Sequence, residues 1–334
     1  MIGTRNLTSA LVATFVALVP AAMVGPAQAA DDVAFALNWI ISGRNAGYFV
    51  ALDKGFYADK DLNVTITRGR GSGDTLKRVA IGESDFGLVD STVVTTGVAN
   101  DQVPVKMIGM MYSNAAMAAI YPKNTGMTVP KDLEGKTIAR AAAGAAANMW
   151  PVFLKLNDVD PTTVSEVIAT SSTNVPLLLS GQVQAVVDQS SYLGRYQKAA
   201  DAQGLDLTVF RFSDYGLSLY GDAIVASDET IAEKPDLVKR FLEATLEGNL
   251  YAFEHPDEAM EILVKHAEEV EADVAKAELL DTKEIAMTSE VEANGYGYID
   301  PARITEIVEL INEPFGMTRK VTPDEVMTDQ FLTR

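Results

Sequence analysis

The feature that most constrains the fold of this chain is a local pattern that occurs twice. Residues 75–92 (TLKRVAIGESDFGLVDST) and 174–192 (NVPLLLSGQVQAVVDQSSY) each hold a helical segment ending at a glycine, then a short apolar strand, an aspartate and a serine. The aspartates, Asp90 and Asp188, are offset by one residue between the copies, so the pattern is architectural and not a sequence repeat. Helices alternating with strands are typical of α/β units. The pattern predicts two α/β lobes that face each other.

Short runs rich in Val, Ile and Phe alternate with helical patterns along most of the chain, which predicts an α/β fold. The clearest strand candidates are Val33–Leu37, Leu62–Thr67, Asp85–Asp90, Val105–Tyr112, Thr137–Arg140 and Asp222–Ser227. Beyond residue 227 the chain turns helical, and no low-complexity linker separates the two halves. We therefore expect the chain to cross between the lobes more than once.

The N-terminal residues have the pattern of a secretory leader. Arg5 precedes an apolar segment, and Ala27–Ala29 (AQA) is a small-x-small cleavage site. Pro20 and Pro26 favour cleavage over the alternative, a membrane-anchoring helix. We predict a signal peptide at residues 1–29 and a periplasmic location, because no cysteine follows the leader to carry a lipid.

Composition excludes several classes of function. The 334 residues carry a net charge of −19, which does not favour binding to nucleic acid or to an anionic membrane. Cysteine is absent, so thiolate nucleophiles, cysteine metal sites and disulfides are excluded. The two histidines, His255 and His266, lie in surface or capping contexts, and neither a serine-hydrolase elbow nor an HExxH motif occurs. We predict no catalytic residue, no metal and no cofactor.

Aromatic and acidic residues follow several of the predicted strands. Trp39 comes just after the first strand, where an indole can stack on a flat ligand, although a core anchor is an equally good interpretation. Asp90, Asp188 and Asp214 each terminate an apparent strand. A single strand-ending aspartate is usually a cap or turn residue. Two on facing lobes would suit a ligand with amino or ring N–H donors.

Several segments together resemble the periplasmic solute-binding proteins of ABC importers, in the group that serves nitrate, sulfonates, taurine and thiamine-pyrimidine precursors. The matching segments are ALNW (36–39), GYFVALDKGFYADKDLNVTI (47–66), GSGDTLKRVAIGESDFGLVD (71–90), VPVKMIGMM (103–111), PKDLEGKTIA (130–139) and VPLLLSGQVQAVVD (175–188). The resemblance spans roughly residues 33–255, and the C-terminal helices match only in character.

The resemblance implies a two-lobed periplasmic-binding-protein fold of type II, with the ligand cleft between the lobes. Lobe one would comprise residues 32–121 and 219–334, and lobe two residues 122–218. The lobes would close on a small solute by hinge motion, as periplasmic binding proteins do. The partners would be an ABC permease and its ATPase in the inner membrane, with no nucleic acid, and the protein would be a monomer.

The residues and the resemblance together predict a set of ligand-binding side chains. The lobe-one set is Asn38, Trp39, Asn45, Ser72, Asp90, Ser91 and Thr92, and the lobe-two set is Gly144, Asn148, Asp188 and Tyr192, with Asp214 near the hinge.

Position 45 bears on the substrate. Thiamine-precursor relatives have a histidine where this chain has Asn45, and the eukaryotic relatives that make the thiamine pyrimidine depend on that histidine and on a Cys-rich motif. Both are absent here, so we expect a binder and not an enzyme. The acidic residues favour a pyrimidine-like heterocycle with N–H groups as its ligand. A sulfonate or taurine held by Arg44, Arg70 or Arg140, an aromatic carboxylate, and the pyrimidine-synthesising enzyme are the alternatives.

Overall fold

The computed structural model describes residues 1–2, 29–142 and 145–332. The predicted signal peptide, residues 1–29, falls outside the described residues except at its two ends. Across the described part of the chain, none of the helices combines the length and the apolar character needed to cross a membrane.

Two five-stranded sheets organise the described residues. In chain order the strands are β1 (Asp31–Ala36), β2 (Leu62–Thr67), β3 (Phe86–Asp90), β4 (Val105–Met110), β5 (Met117–Pro122), β6 (Thr137–Arg140), β7 (Ser165–Ile168), β8 (Ala185–Gln189), β9 (Leu207–Arg211) and β10 (Asp222–Ser227). The first sheet has the order β2-β1-β3-β10-β4 and the second β7-β6-β8-β5-β9. Each has three adjacent parallel strands, then an antiparallel strand, then an outer strand antiparallel to that one. The shared topology confirms the predicted α/β fold with two lobes.

The position of β5 corrects the predicted boundary between the lobes. The prediction assigned residues up to 121 to lobe one, yet β5 pairs with β8 and β9 of the second sheet. All six residues of β5 are buried, so the segment shows no alternation of polar and apolar residues that would mark where the second lobe begins.

Two segments carry the chain between the sheets: residues 111–116, between β4 and β5, and residues 212–221, between β9 and β10. They run beside each other, because the Ala115 amide donates to the Leu219 carbonyl at 2.8 Å and the Gly221 amide donates to the Tyr112 carbonyl at 2.9 Å. We call this pair of segments the hinge.

The helices cover both sheets. They are α1 (Ala46–Asp53), α2 (Ser72–Ala80), α3 (Ser91–Asp101), α4 (Ala145–Leu156), α5 (Ser171–Leu179), α6 (Leu193–Asp201), α7 (Asp228–Glu233), α8 (Pro235–Glu254), α9 (Pro256–His266), α10 (Ala272–Ala286), α11 (Ser289–Asn294), α12 (Pro301–Ile311) and α13 (Pro323–Val326). The long helix α8 closes the core of lobe one, since its Phe241 stacks on Phe86 of β3 with the ring centroids 4.0 Å apart. Phe241 also meets Phe35 of β1 edge-on at 5.3 Å.

Candidate functional site

A cavity of about 420 Å³ lies between the two lobes, at the ends of β3 and β8. This volume is within the range of pockets that hold small organic ligands. Its lining from lobe one is Asn38, Trp39, Arg44, Gly71, Ser72, Gly73, Asp90, Thr92, Val93 and Asp222, and its lining from lobe two is Asn148, Asp188, Gln189 and Tyr192. We call it the interlobe cavity.

Eight of the twelve predicted site residues line the interlobe cavity: Asn38, Trp39, Ser72, Asp90, Thr92, Asn148, Asp188 and Tyr192. Gly144 lies outside the described residues. The other three, Asn45, Ser91 and Asp214, are placed elsewhere.

These three side chains have structural roles or face solvent. Asn45 is buried, and its Oδ1 accepts a hydrogen bond from the Ser42 amide at 3.1 Å, which closes the short 3-10 turn at residues 43–45. Asn45 reaches only a narrow space of about 20 Å³ beside the interlobe cavity. Ser91 donates to the Tyr220 carbonyl at 2.8 Å inside lobe one. Asp214 is exposed and follows the outer strand β9, which β5 separates from β8, so it lies away from Asp188.

Strand pairing in lobe one brings two carboxylates together. The antiparallel register of β3 and β10 sets Asp90 directly opposite Asp222, which is 5% exposed. Burial, and then the charge of Asp222, raises the pKa of Asp90 to about 6, although hydrogen bonds from Thr92 oppose the shift. The amide and the hydroxyl of Thr92 both donate to Asp90 Oδ1, at 2.9 and 2.5 Å.

Arg44 compensates part of this negative charge and connects the lobes. Its guanidinium donates to Asp222 Oδ2 at 3.0 Å and to Gln189 Oε1 of lobe two, and it lies 4.9 Å above the Tyr112 ring. Burial acts to lower the pKa of Arg44, but Tyr112 and Asp222 raise it above its ordinary value, so the side chain stays charged. Its Nε is buried and has no hydrogen-bond partner.

Asp188 is the acidic group on the lobe-two side of the interlobe cavity, and its orientation is fixed. Its Oδ2 accepts from the Tyr196 hydroxyl at 2.8 Å and from Asn174 Nδ2 at 3.1 Å. Its Oδ1 accepts from the Gln189 amide at 2.9 Å. Because these donors hold both oxygens, the carboxylate presents a defined edge to a ligand.

Trp39 lies at the mouth of the interlobe cavity and is 53% exposed, which excludes the core-anchor interpretation. Its loop is tied to the glycine-rich turn, since the Gly69 amide donates to the Trp39 carbonyl at 3.1 Å. A Cβ on Gly69 would lie 2.0 Å from the Leu37 carbonyl oxygen, so only glycine permits this approach. The backbone at Trp39 is therefore held in place, while much of the surface of this residue stays free to contact a ligand.

The sequence did not predict three of the polar residues that line the interlobe cavity, namely Arg44, Asp222 and Gln189. Arg44 was considered only for a sulfonate, and Asp222 and Gln189 were not considered. Asp222 begins a strand that the sequence predicts, but its place opposite Asp90 follows from a long-range pairing that no local signal reveals. The other two arginines proposed for a sulfonate do not line the cavity: Arg70 is exposed, and Arg140 pairs with Glu166 at 2.5 Å. Within the described residues, no cluster of three or more His, Cys, Asp or Glu side chains could hold a metal ion.

The family model described as NMT1/THI5 like matches residues 43–259. The chain belongs to this family. It is 25% identical over 236 residues to a 4-amino-5-hydroxymethyl-2-methylpyrimidine phosphate synthase of Legionella pneumophila, covering 69% of this chain and 72% of that protein. It is also 25% identical over 311 residues to the riboflavin-binding protein RibY of Chloroflexus aurantiacus, covering 90% of this chain and 86% of that protein.

A solved structure confirms the two-lobed architecture. The periplasmic aliphatic sulphonate binding protein SsuA from Escherichia coli matches with a TM-score of 0.69 at 15% identity, over 88% of this chain and 96% of that chain. At this identity the likeness concerns the fold, which is that of an ABC-type solute-binding protein. The predicted resemblance to that class is confirmed.

Proposed function

We propose that this chain is the extracytoplasmic solute-binding component of an ABC importer, and that it captures a flat heterocycle with N–H donors by closing its lobes. A pyrimidine of the thiamine-precursor type is the best candidate. The observation that carries this proposal is the interlobe cavity, with the half-exposed indole of Trp39 at its mouth and the carboxylates of Asp90 and Asp188 on opposite lobes.

The charge of the interlobe cavity supports a ligand that donates hydrogen bonds. Among the described residues, three carboxylates and one arginine line it, and the arginine already contacts Asp222 and Gln189. A carboxylate accepts hydrogen bonds and repels anions, so amino and ring N–H groups suit these walls better than a sulfonate does. The sulfonate and carboxylate alternatives therefore have less support, although the fold is shared with a sulphonate binder.

The names of the relatives point to the same ligand chemistry. One is named for a pyrimidine phosphate that it synthesises and the other for binding riboflavin, and both compounds contain flat nitrogen heterocycles. The riboflavin-binding protein matches nearly the whole chain, which supports ligand binding over an enzymatic reaction. On this proposal the protein binds its solute without converting it, works in the periplasm after loss of residues 1–29, and delivers the solute to a permease with its ATPase.

The proposal predicts that Trp39 contributes directly to affinity. Ligand-stripped protein should bind 4-amino-5-hydroxymethyl-2-methylpyrimidine in isothermal titration, and Trp39→Ala should weaken binding at least tenfold, a loss of about 1.4 kcal/mol. The physical reason is the loss of ring stacking and of apolar contact area. The unfolding temperature should change little, because the indole is half exposed.

Ile81→Ala is the matched control, since Ile81 is an exposed apolar residue, 76% accessible, that does not line the interlobe cavity. This variant should bind like the wild type. Equal affinity of wild type and Trp39→Ala would show that Trp39 does not contact the ligand. A product of new mass in the titrated solution would show that the protein converts its ligand, which contradicts the proposal of a binding protein.

A further inference from the structure

The lobes also meet at a second place, beside the interlobe cavity. Helix α10 belongs to lobe one, because Ala275 and Leu279 pack in the same core as Phe35 and Phe241. Its other side contacts α6 and the turn before it, which belong to lobe two. We call this contact the α6–α10 seam.

Hydrogen bonds and ion pairs join the two lobes along the seam and at its end next to the hinge. Next to the hinge, Asp281 accepts from Ser190 Oγ at 2.9 Å and from Arg211 at 2.6 Å. At the outer end, Lys198 lies 2.7 Å from Glu271 and 3.0 Å from Asp273. In each case the acid comes from lobe one and the donor from lobe two, so a rotation of the lobes about the hinge would separate the outer pairs first.

Glu278, in the middle of the seam, connects it to the interlobe cavity. It is 1% exposed, and it accepts from the Gly43 amide at 3.0 Å and from Arg195 at 3.0 Å. Gly43 precedes Arg44, which lines the interlobe cavity from lobe one. The Arg195 guanidinium lies 5.0 Å above the ring of Tyr192, which lines it from lobe two.

The two helices also approach closely. A Cβ placed on Gly194 of α6 would come within 2.7 Å of the Cβ of Ala277 on α10, and it would meet no other atom within 4 Å. Real Cβ atoms do not approach so closely, so an alanine at this position would push the helices apart. The glycine thus allows α6 to lie close against Ala277 of α10.

We propose that the α6–α10 seam is a second closing surface, and that Glu278 is the positioning residue that couples it to the ligand-binding walls. This rests on the proposed function, since the seam acts by setting how readily the lobes close on a solute. Glu278 is buried and Arg195 is half exposed. Separating the lobes would leave this buried carboxylate without its cationic partner, so the arrangement in which Arg195 reaches it is favoured.

The absence of cysteine from the sequence makes a direct test simple. Lys77→Cys on lobe one and Ala202→Cys on lobe two, both at exposed positions, allow two spin labels to report the distance between the lobes. Double electron–electron resonance on ligand-stripped protein then measures lobe separation without reference to any ligand. Its outcome is therefore independent of whether the solute is a pyrimidine.

Two variants in the labelled protein test the seam. Gly194→Ala should lengthen the distance between the labels, because its Cβ would push α6 away from Ala277 of α10. The melting temperature should stay the same or rise, because alanine favours helix. Glu278→Gln should lengthen the distance by removing the charge that Arg195 meets. The control is Glu258→Gln, which breaks a 2.9 Å ion pair with Lys54 within lobe one and should leave the distance unchanged.

A longer distance in both seam variants, with the control at the wild-type distance, supports the proposal. Unchanged distributions in both variants would overturn it. A wild-type protein that already shows the long distance would overturn it too, since the seam would then not hold the lobes together. A lower melting temperature of Glu278→Gln with an unchanged label distance would show that Glu278 only stabilises lobe one, which would also overturn the proposal.

Discussion

At the scale of single residues, Asp90 combines a ligand-binding position with an unfavourable electrostatic environment. Its pKa of about 6 means that a carboxylate at neutral pH is maintained against burial and against Asp222. Perturbed groups of this kind cluster at functional sites, where stability is given up for chemistry. A ligand that donates an N–H to Asp90 would relieve part of this strain on binding.

The raised pKa predicts the pH dependence of stability. The folded chain holds the Asp90 proton more tightly than an unfolded chain, in which the pKa is near the ordinary 3.8. The contribution of this protonation to the unfolding free energy is therefore complete below about pH 4, and it is lost as the pH rises through about 6. Asp90→Asn removes this loss, so the gain in its unfolding free energy over that of the wild type should grow across that window to about 3 kcal/mol. Thermal melts from pH 4 to 7 measure it.

Asp214→Asn is the control for this experiment, because Asp214 is an exposed aspartate outside the interlobe cavity. The same melts on this variant show how much of any difference comes from replacing an aspartate at an exposed position. Asp90→Asn should also bind the pyrimidine more weakly, since a neutral amide replaces the charged acceptor. A pH-independent difference in stability between Asp90→Asn and the wild type would show that Asp90 is not buried against Asp222 as described.

The residues that could be predicted were those with a local signal. Asp90, Asp188 and Trp39 stand next to strand ends, where the sequence itself marks the edge of a sheet. Asp222 faces Asp90 only because β10 returns from lobe two and pairs antiparallel with β3. Asp214 has the same local signal as Asp90 but follows an outer strand, and the order of strands cannot be read from one sequence.

At the scale of elements, the start of α2 shows how backbone geometry shapes one wall of the interlobe cavity. The N-cap of α2 is Gly71, and its φ of +127° is a conformation that essentially only glycine adopts. The hydroxyl of Ser72, the first residue of α2, accepts a hydrogen bond from the Asp90 amide at 3.1 Å. The serine thus ties α2 to the end of β3.

Gly71→Ala should lower the unfolding free energy by about 1–3 kcal/mol, because alanine is strained at this φ and ψ. The matched variant is Gly73→Ala, two residues further on inside α2, where a Cβ would meet no atom within 4 Å. That change should be neutral or stabilising by about 0.5–1 kcal/mol. Chemical denaturation of both proteins measures the contrast, and equal effects would contradict the described start of α2.

At the scale of the whole molecule, the two sheets share one topology. Each of the two copies of the sequence pattern contributes one aspartate, Asp90 or Asp188, to the interlobe cavity. Helix and strand positions and the two-lobed fold follow from periodicity and from the doubled pattern. The lobe boundary does not, because the wholly buried β5 has no polar marker. The α6–α10 seam also has no sequence signal, since its hydrogen bonds and ion pairs join residues about 70 to 90 positions apart.

The most direct test of the central claim is a thermal-shift measurement on the ligand-stripped mature protein. The panel would contain 4-amino-5-hydroxymethyl-2-methylpyrimidine, riboflavin, an aromatic carboxylate, taurine, an alkanesulfonate and nitrate. A ligand at a hundred times its dissociation constant adds about 2.7 kcal/mol of stability. We predict a strong shift with the pyrimidine and none with taurine, the sulfonate or nitrate. A shift with the sulfonate alone would contradict the account, since a cavity lined by three carboxylates would then be binding an anion.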